Sequence, residues 1–164
     1  MSLRSKWAAL AASSLLALGA CHGKNESTEP TGGGSGSAAA STKSLYERLG
    51  GTPAITAVVD DFVGNCAADA RINHFFTGAA GDPEEMKHFK QMLVDQICEA
   101  SGGPCKYQGK SMPEAHKGMA IKHEDFVALV EDLKKSLDKF KVGDQEQKDL
   151  LGALAPLEPD IVDK

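Results

Sequence analysis

Of the five histidines in this 164-residue chain, one stands apart by its neighbours. His116 lies four residues after Met112 and three before Met119, an i, i+4, i+7 row that shares one face of a helix. On a short helical segment its imidazole points the way the two thioethers point, toward an interior. A neutral inward imidazole is a metal ligand by chemistry, although a core or surface histidine satisfied by one hydrogen bond has the same pattern. The other four are placed differently. His22 falls in a Gly/Ser-rich stretch, His74 precedes Phe75-Phe76, His88 sits one place off an apolar stripe, and His123 opens a helix.

Other chemistries are excluded by spacing. No second His or Cys stands at zinc distance from His116, and Cys98 and Cys105 do not form a C-x-x-C. There is no C-x-x-C-H, no Gly-rich phosphate loop after a strand, and no nucleophile elbow.

Helices must position this residue, because from Ser44 onward the apolar period is helical. Thr52 is expected to cap a helix with Pro53 at its first position, carrying Ile55, Val58, Val59, Phe62, Val63 and Cys66 on one face. Asp82-Pro83-Glu84-Glu85 opens a second, whose stripe runs Met86, Phe89, Leu93, Ile97, Ala100 until Gly102-Gly103-Pro104 stops it. A third carries Phe126, Leu129, Val130, Leu133, Leu137 and Phe140. Asp144 is expected to cap a last one, interrupted by Pro156 and Pro159. Residues 102–122 read as a long loop with about two turns of helix over 113–120, and loops of this length are usually functional or disordered.

One imidazole facing apolar helices with several Phe and Met suits a single large planar cofactor better than a zinc ion. Haem needs one strong axial nitrogen and an oily slot. Charge narrows the partners. Residues 1–43 carry four Lys/Arg and two Asp/Glu, whereas 44–164 carry fourteen and twenty-one. The acidic folded part argues against nucleic acid, whose phosphates it would repel.

The motifs themselves resemble group 1 truncated haemoglobins. They are Ser44-Leu45-Tyr46-Glu47-Arg48-Leu49-Gly50-Gly51, Val59-Asp60-Asp61-Phe62, Phe75-Phe76, Gly102-Gly103-Pro104 through Tyr107 and Gly109, Glu114-Ala115-His116-Lys117-Gly118-Met119, Leu154-Ala155-Pro156-Leu157 and Asp160-Ile161-Val162. They occur in order across residues 44–162. The resemblance implies an all-α, two-over-two helical sandwich around haem b, with a very short first helix. It implies His116 as the proximal iron ligand, its other ring nitrogen donating to a backbone carbonyl. Phe76, with Phe75 as the fallback, resembles the phenylalanine on the haem face. Phe62, Ile97, Met119, Ile121, Phe126 and Val130 resemble pocket lining, with plain core packing as the alternative. Lys87, Lys90, Lys110 and Lys117 are candidates for the haem propionates, although a solvated lysine is the alternative for each.

The chain departs from the family on the distal side. The position after Phe62, often tyrosine in the family, is Val63. Counted back without gaps from Gly102-Gly103, positions often Leu and Gln are Phe89 and Leu93, with residues 79–83 reading as an insertion. The usual donors to a bound diatomic ligand are therefore missing, so O₂ is expected to leave quickly and the iron to oxidise readily. Met92 stands where some relatives carry a distal histidine and is a candidate sixth ligand, with a plain core methionine as the alternative. His88 is one turn earlier, and Gln91 and Gln96 are candidate donors. The function implied is reversible binding of O₂, NO or another diatomic ligand. The alternatives are a redox or NO-detoxifying haem protein served by an external reductase, since the sequence carries no flavin or nicotinamide module, and a haem-free helical lipoprotein that only makes contacts.

The N-terminus reads as an address. Arg4 and Lys6 precede the uncharged run 7–20, short for a membrane span of ~20 residues but suited to a secretory signal. Leu18-Gly19-Ala20-Cys21 resembles a bacterial lipobox, which implies cleavage after residue 20 and lipidation of Cys21; an uncleaved anchor or an ordinary signal is the alternative. His22 in place of Asp implies sorting onward to the outer membrane. Residues 21–43 form a lipidated cysteine and a Gly/Ser tether, and 44–164 the globin-like domain on the periplasmic side of the envelope. After export three cysteines remain. Cys98 and Cys105 are close enough in sequence to bridge across the Gly-Gly-Pro turn or simply to pack, and Cys66 reads as a buried thiol.

Overall fold

The computed structural model describes residues 43–164, which are helical without strands. The signal run, Cys21 and the tether up to residue 42 lie outside the described residues. The helices are α1 Leu45–Arg48, α2 Gly51–Ala68, α3 Thr77–Ala80, α4 Pro83–Ala100, α5 Met112–His116, α6 His123–Lys139, α7 Asp144–Leu154 and α8 Glu158–Ile161, with 3₁₀ turns at Asn73–Phe76 and Ala155–Leu157. Among the described residues no helix is long and apolar enough to cross a membrane.

Two helix pairs make the sandwich. α2 packs on α4 and on α6, while α7 touches both α4 and α6. The reason is the stripe on α2, where Ile55, Val58, Val59, Phe62, Val63 and Cys66 are all buried. Each large apolar side chain contributes about 1.5–3 kcal/mol when buried, so α2 anchors the fold. Polar links fix its register. Asn65 Nδ2 donates to Ser136 Oγ at 2.9 Å, and Ser136 Oγ donates to Asp61 Oδ2 at 2.9 Å. On the outside Arg48 ties α1 to α7 through Glu146 at 2.8 Å and Asp149 at 2.5 Å. Arg71 holds the Asp69 carboxyl down at about 2, while burial pushes the Cys66 thiol up to about 12. Cys66 is thus a neutral packed thiol.

The helix starts differ from two expectations. Thr52 does not cap α2. The helix begins at Gly51 because Gly50 and Gly51 both adopt positive φ, 94° and 73°, and the Tyr46 hydroxyl accepts the Thr52 N–H at 3.1 Å. Asp144 is the first residue of α7 rather than its cap, which is Gly143. Asp82 caps α4 as its type predicts, accepting from Glu84 N–H at 2.8 Å. Of residues 79–83, read as an insertion, the first two end the single turn α3, Asp82 is the cap of α4 and Pro83 its first residue.

Cys98 and Cys105 are bridged, with Cα atoms 5.7 Å apart. The bridge spans a turn in which Gly102 has φ 81°. Gly103 has no room for a side chain there: a Cβ would lie 2.6 Å from both Cys98 Sγ and Tyr46 Cδ2. Closing this loop stabilises mainly by restricting the unfolded chain, by about 2.5 kcal/mol for a loop of this length. Cys98→Ser with Cys105→Ser is therefore expected to lower the urea-unfolding free energy by that amount; an unchanged midpoint would show the bridge to be thermodynamically idle.

Candidate functional site

His116 is the last residue of α5, and this helix cannot stand by itself. It has five residues and no buried side chain, far below the length at which an isolated helix forms. Its shape is imposed from outside. Ser111 and Glu114 close a capping box at its start, Ser111 Oγ donating to Glu114 Oε2 at 2.6 Å. α5 packs on α8. The segment after His116 is tied to the end of the described chain: Gly118 N–H donates to the Lys164 carbonyl at 2.9 Å, and Asp163 N–H to the Ile121 carbonyl at 2.9 Å. Lys122 pairs with Asp163 at 2.6 Å, and His123 Nδ1 lies 2.5 Å from Glu158 Oε1.

The loop leading into α5 is held by the last turns of α4. Besides the disulfide, Glu99 accepts Tyr107 N–H and the Lys106 ammonium, both at 2.9 Å, and these contacts keep its carboxyl below the usual range. The Tyr107 hydroxyl folds back to donate to the Lys110 carbonyl at 2.9 Å. It passes so close over Gly109 that a Cβ there would lie 2.2 Å from it, which accounts for the Tyr-x-Gly spacing.

The imidazole itself is oriented by one bond. His116 Nδ1 lies 2.8 Å from the Met112 carbonyl oxygen. A carbonyl only accepts, so Nδ1 carries the proton and Nε2 keeps its lone pair. His116 is half-buried, and so are Phe76, Phe89, Met92, Leu93, Met112, Met119, Phe126 and Val130. By contrast Phe62, Val63 and Ile97 belong to the sealed core, and Ile121 is buried. Exposure therefore divides the predicted lining residues into buried and half-buried ones, and of the latter Phe76, Phe89 and Leu93 pack against the buried core. Phe76 meets Phe89 edge to face at 6.0 Å, whereas Phe75 stacks on His74 at 4.0 Å.

This donor set fits an iron carried in a macrocycle. Among the described residues no group of three or more His, Cys, Asp or Glu could hold a bare metal ion. A single oriented, half-buried imidazole supplies the one strong protein nitrogen that haem needs.

Two expectations change. The methionine row breaks, because Lys117 leaves the helical region and Gly118 adopts φ 79°, so Met119 lies beyond the helix, its N–H donating to the His116 carbonyl at 3.1 Å. Lys87 and Lys90 line a cavity of about 350 Å³ between α2 and α4 that includes no α5 residue. Lys90 pairs there with Asp60 at 2.9 Å, whereas Lys110 and Lys117 flank α5 in the chain. One contact had no signal in the sequence: Gln96 Nε2 donates to Met112 Sδ at 3.4 Å.

The bacterial-like globin family matches residues 44–163. A group 1 truncated haemoglobin of Tetrahymena pyriformis is 35% identical over 121 residues, 67% of this chain and 96% of that protein. One from Mycolicibacterium paratuberculosis is 34% identical over 118 residues, 72% of this chain and 83% of its own length. Among solved structures, the Fe(III) form of the Tetrahymena pyriformis protein superposes with TM-score 0.68 at 33% identity, covering 74% of this chain and 100% of that one. The cyanomet 2/2 haemoglobin of a Synechococcus species, with covalently attached haem, gives 0.67 at 29% identity over 74% of this chain and 100% of that one. Matching along nearly all of its helical part, with the motif histidine oriented as an axial ligand would be, the chain belongs to the bacterial-like globin family, among the group 1 truncated haemoglobins.

Proposed function

We propose that this chain binds haem b through His116 Nε2 and takes up a diatomic ligand, O₂ or NO, on the opposite face of the iron. The observation that carries the reading is the 2.8 Å bond from His116 Nδ1–H to the Met112 carbonyl, which fixes the tautomer and makes Nε2 more basic. Haem, when bound, would supply an iron able to take up a small ligand. The half-buried layer of Phe76, Phe89, Leu93, Phe126 and Val130 supplies the apolar cover that keeps water away. Lys110 and Lys117, which flank α5 in the chain, are candidates to meet its propionates. Met92 is the candidate sixth ligand. Gln96, which reaches α5, lies one turn further along α4, so Met92 shares that face.

Purified protein loaded with hemin is expected to show a Soret band that His116→Ala abolishes and free imidazole partly restores. A colourless wild type that takes up no hemin would overturn the reading. In the same spectra, Met92→Leu with bands identical to wild type would remove the sixth-ligand assignment.

The positions where relatives often carry donors are apolar here, at Val63, Phe89 and Leu93, and none of these three side chains can donate to a polarised ligand. Leu93→Gln adds a donor worth ~1–2 kcal/mol and is expected to slow O₂ dissociation roughly ten-fold in stopped-flow. An unchanged or faster rate would show that position 93 does not face the ligand.

The exported, lipid-anchored placement on the periplasmic side of the outer membrane belongs to the same proposal. It is supported by the Leu18-Gly19-Ala20-Cys21 run and, independently, by the Cys98–Cys105 bridge, since disulfides persist in oxidising compartments. Cells fed labelled palmitate are expected to label the full-length chain and not Cys21→Ala; equal labelling of both would remove the anchor.

A further inference from the structure

We propose that Gln96 is a positioning residue for the proximal histidine, acting through Met112; this rests on His116 being the haem ligand. Met112 is used twice. Its carbonyl accepts His116 Nδ1–H at 2.8 Å, and its thioether accepts the Gln96 amide at 3.4 Å. One residue thus joins α4, whose face carries Phe89, Met92 and Leu93, to the group that orients the imidazole. The link matters because α5 has five residues and no buried side chain and rests on α8, so its distance from α4 is set by what spans the gap. The loop between them is already pinned by Cys98–Cys105 and by Glu99 on Tyr107. Gln96 pins the helix itself at its first residue. Sliding or rotating Met112 moves its carbonyl, and with it the hydrogen bond that holds the ring and raises its basicity. A glutamine is suited to this task, since its N–H₂ reaches the weak sulfur acceptor that a leucine would leave bare.

The test compares haem-loaded wild type with Gln96→Leu, Met112→Leu, the double variant, and Gln91→Leu as a control. Gln91, a candidate donor by its place in the sequence, is instead exposed and bonded to Asp95 within α4, so it takes no part in the site or in the link to Met112. Two quantities are read: the ferrous iron–histidine stretch by resonance Raman, and the rate of haem loss to an excess of apomyoglobin. Outer partners of a metal ligand typically change affinity 10–100-fold, and a weak sulfur bond falls at the low end. Gln96→Leu and Met112→Leu are each expected to lower the stretching frequency and to speed haem loss about ten-fold. The double variant is expected to match either single one, because both remove the same link, and Gln91→Leu to match wild type. Wild-type values for Gln96→Leu, fully additive effects in the double variant, or equal effects from Gln91→Leu would each overturn the proposal. Those outcomes are seen in protein that still holds haem. A wild type without a Soret band is a different result and takes down the haem reading itself.

Discussion

A helix of five residues with no buried side chain has to present one imidazole at a fixed angle, and the rest of the domain is organised around that difficulty. Nucleating a single turn is unfavourable, and nothing in α5 offsets the cost by burial. The offset comes from neighbours on every side: the Ser111–Glu114 box at its start, α8 beneath it, the backbone bonds from residues 118 and 121 to 164 and 163 after it, and Gln96 across from it. The bond from Nδ1–H to the Met112 carbonyl is an i to i−4 contact within α5, so it exists only while these supports hold the turn. The closing Asp-Ile-Val motif has a physical meaning here, as it places the residues that tie down the segment following the histidine.

The same economy separates two kinds of apolar side chain. The face of α2 is sealed, with Val59 and Cys66 at 0% exposure, and it needs nothing further for its stability. The layer formed by Phe89, Met92, Leu93, Phe126 and Val130 stays half-buried and forgoes on the order of 1 kcal/mol per side chain relative to full burial.

Much of this was legible in the sequence because it depends on local rules. The helical stripes, Asp82 before Pro83 and the stop at Gly102-Gly103 follow from period and cap chemistry, whereas His116 stands out through the motif it shares with the family. What escaped was set by tertiary contact. Thr52 has the right type for a cap, yet the Gly50-Gly51 pair lets α2 start earlier and the Tyr46 hydroxyl takes the N–H. Met119 fits the helical period, yet Gly118 breaks it. Lys90 is spent on Asp60, which no spacing rule pairs with it. Gln96 reads as one polar residue on an amphipathic helix until the partner thioether, sixteen residues on, is seen beside it.

Whatever the ligand's side supplies, the basicity of a histidine ligand follows the hydrogen bond on its far nitrogen. In this chain that hydrogen bond ends on Met112, and Met112 is reached from α4, the helix that also carries Phe89, Met92 and Leu93.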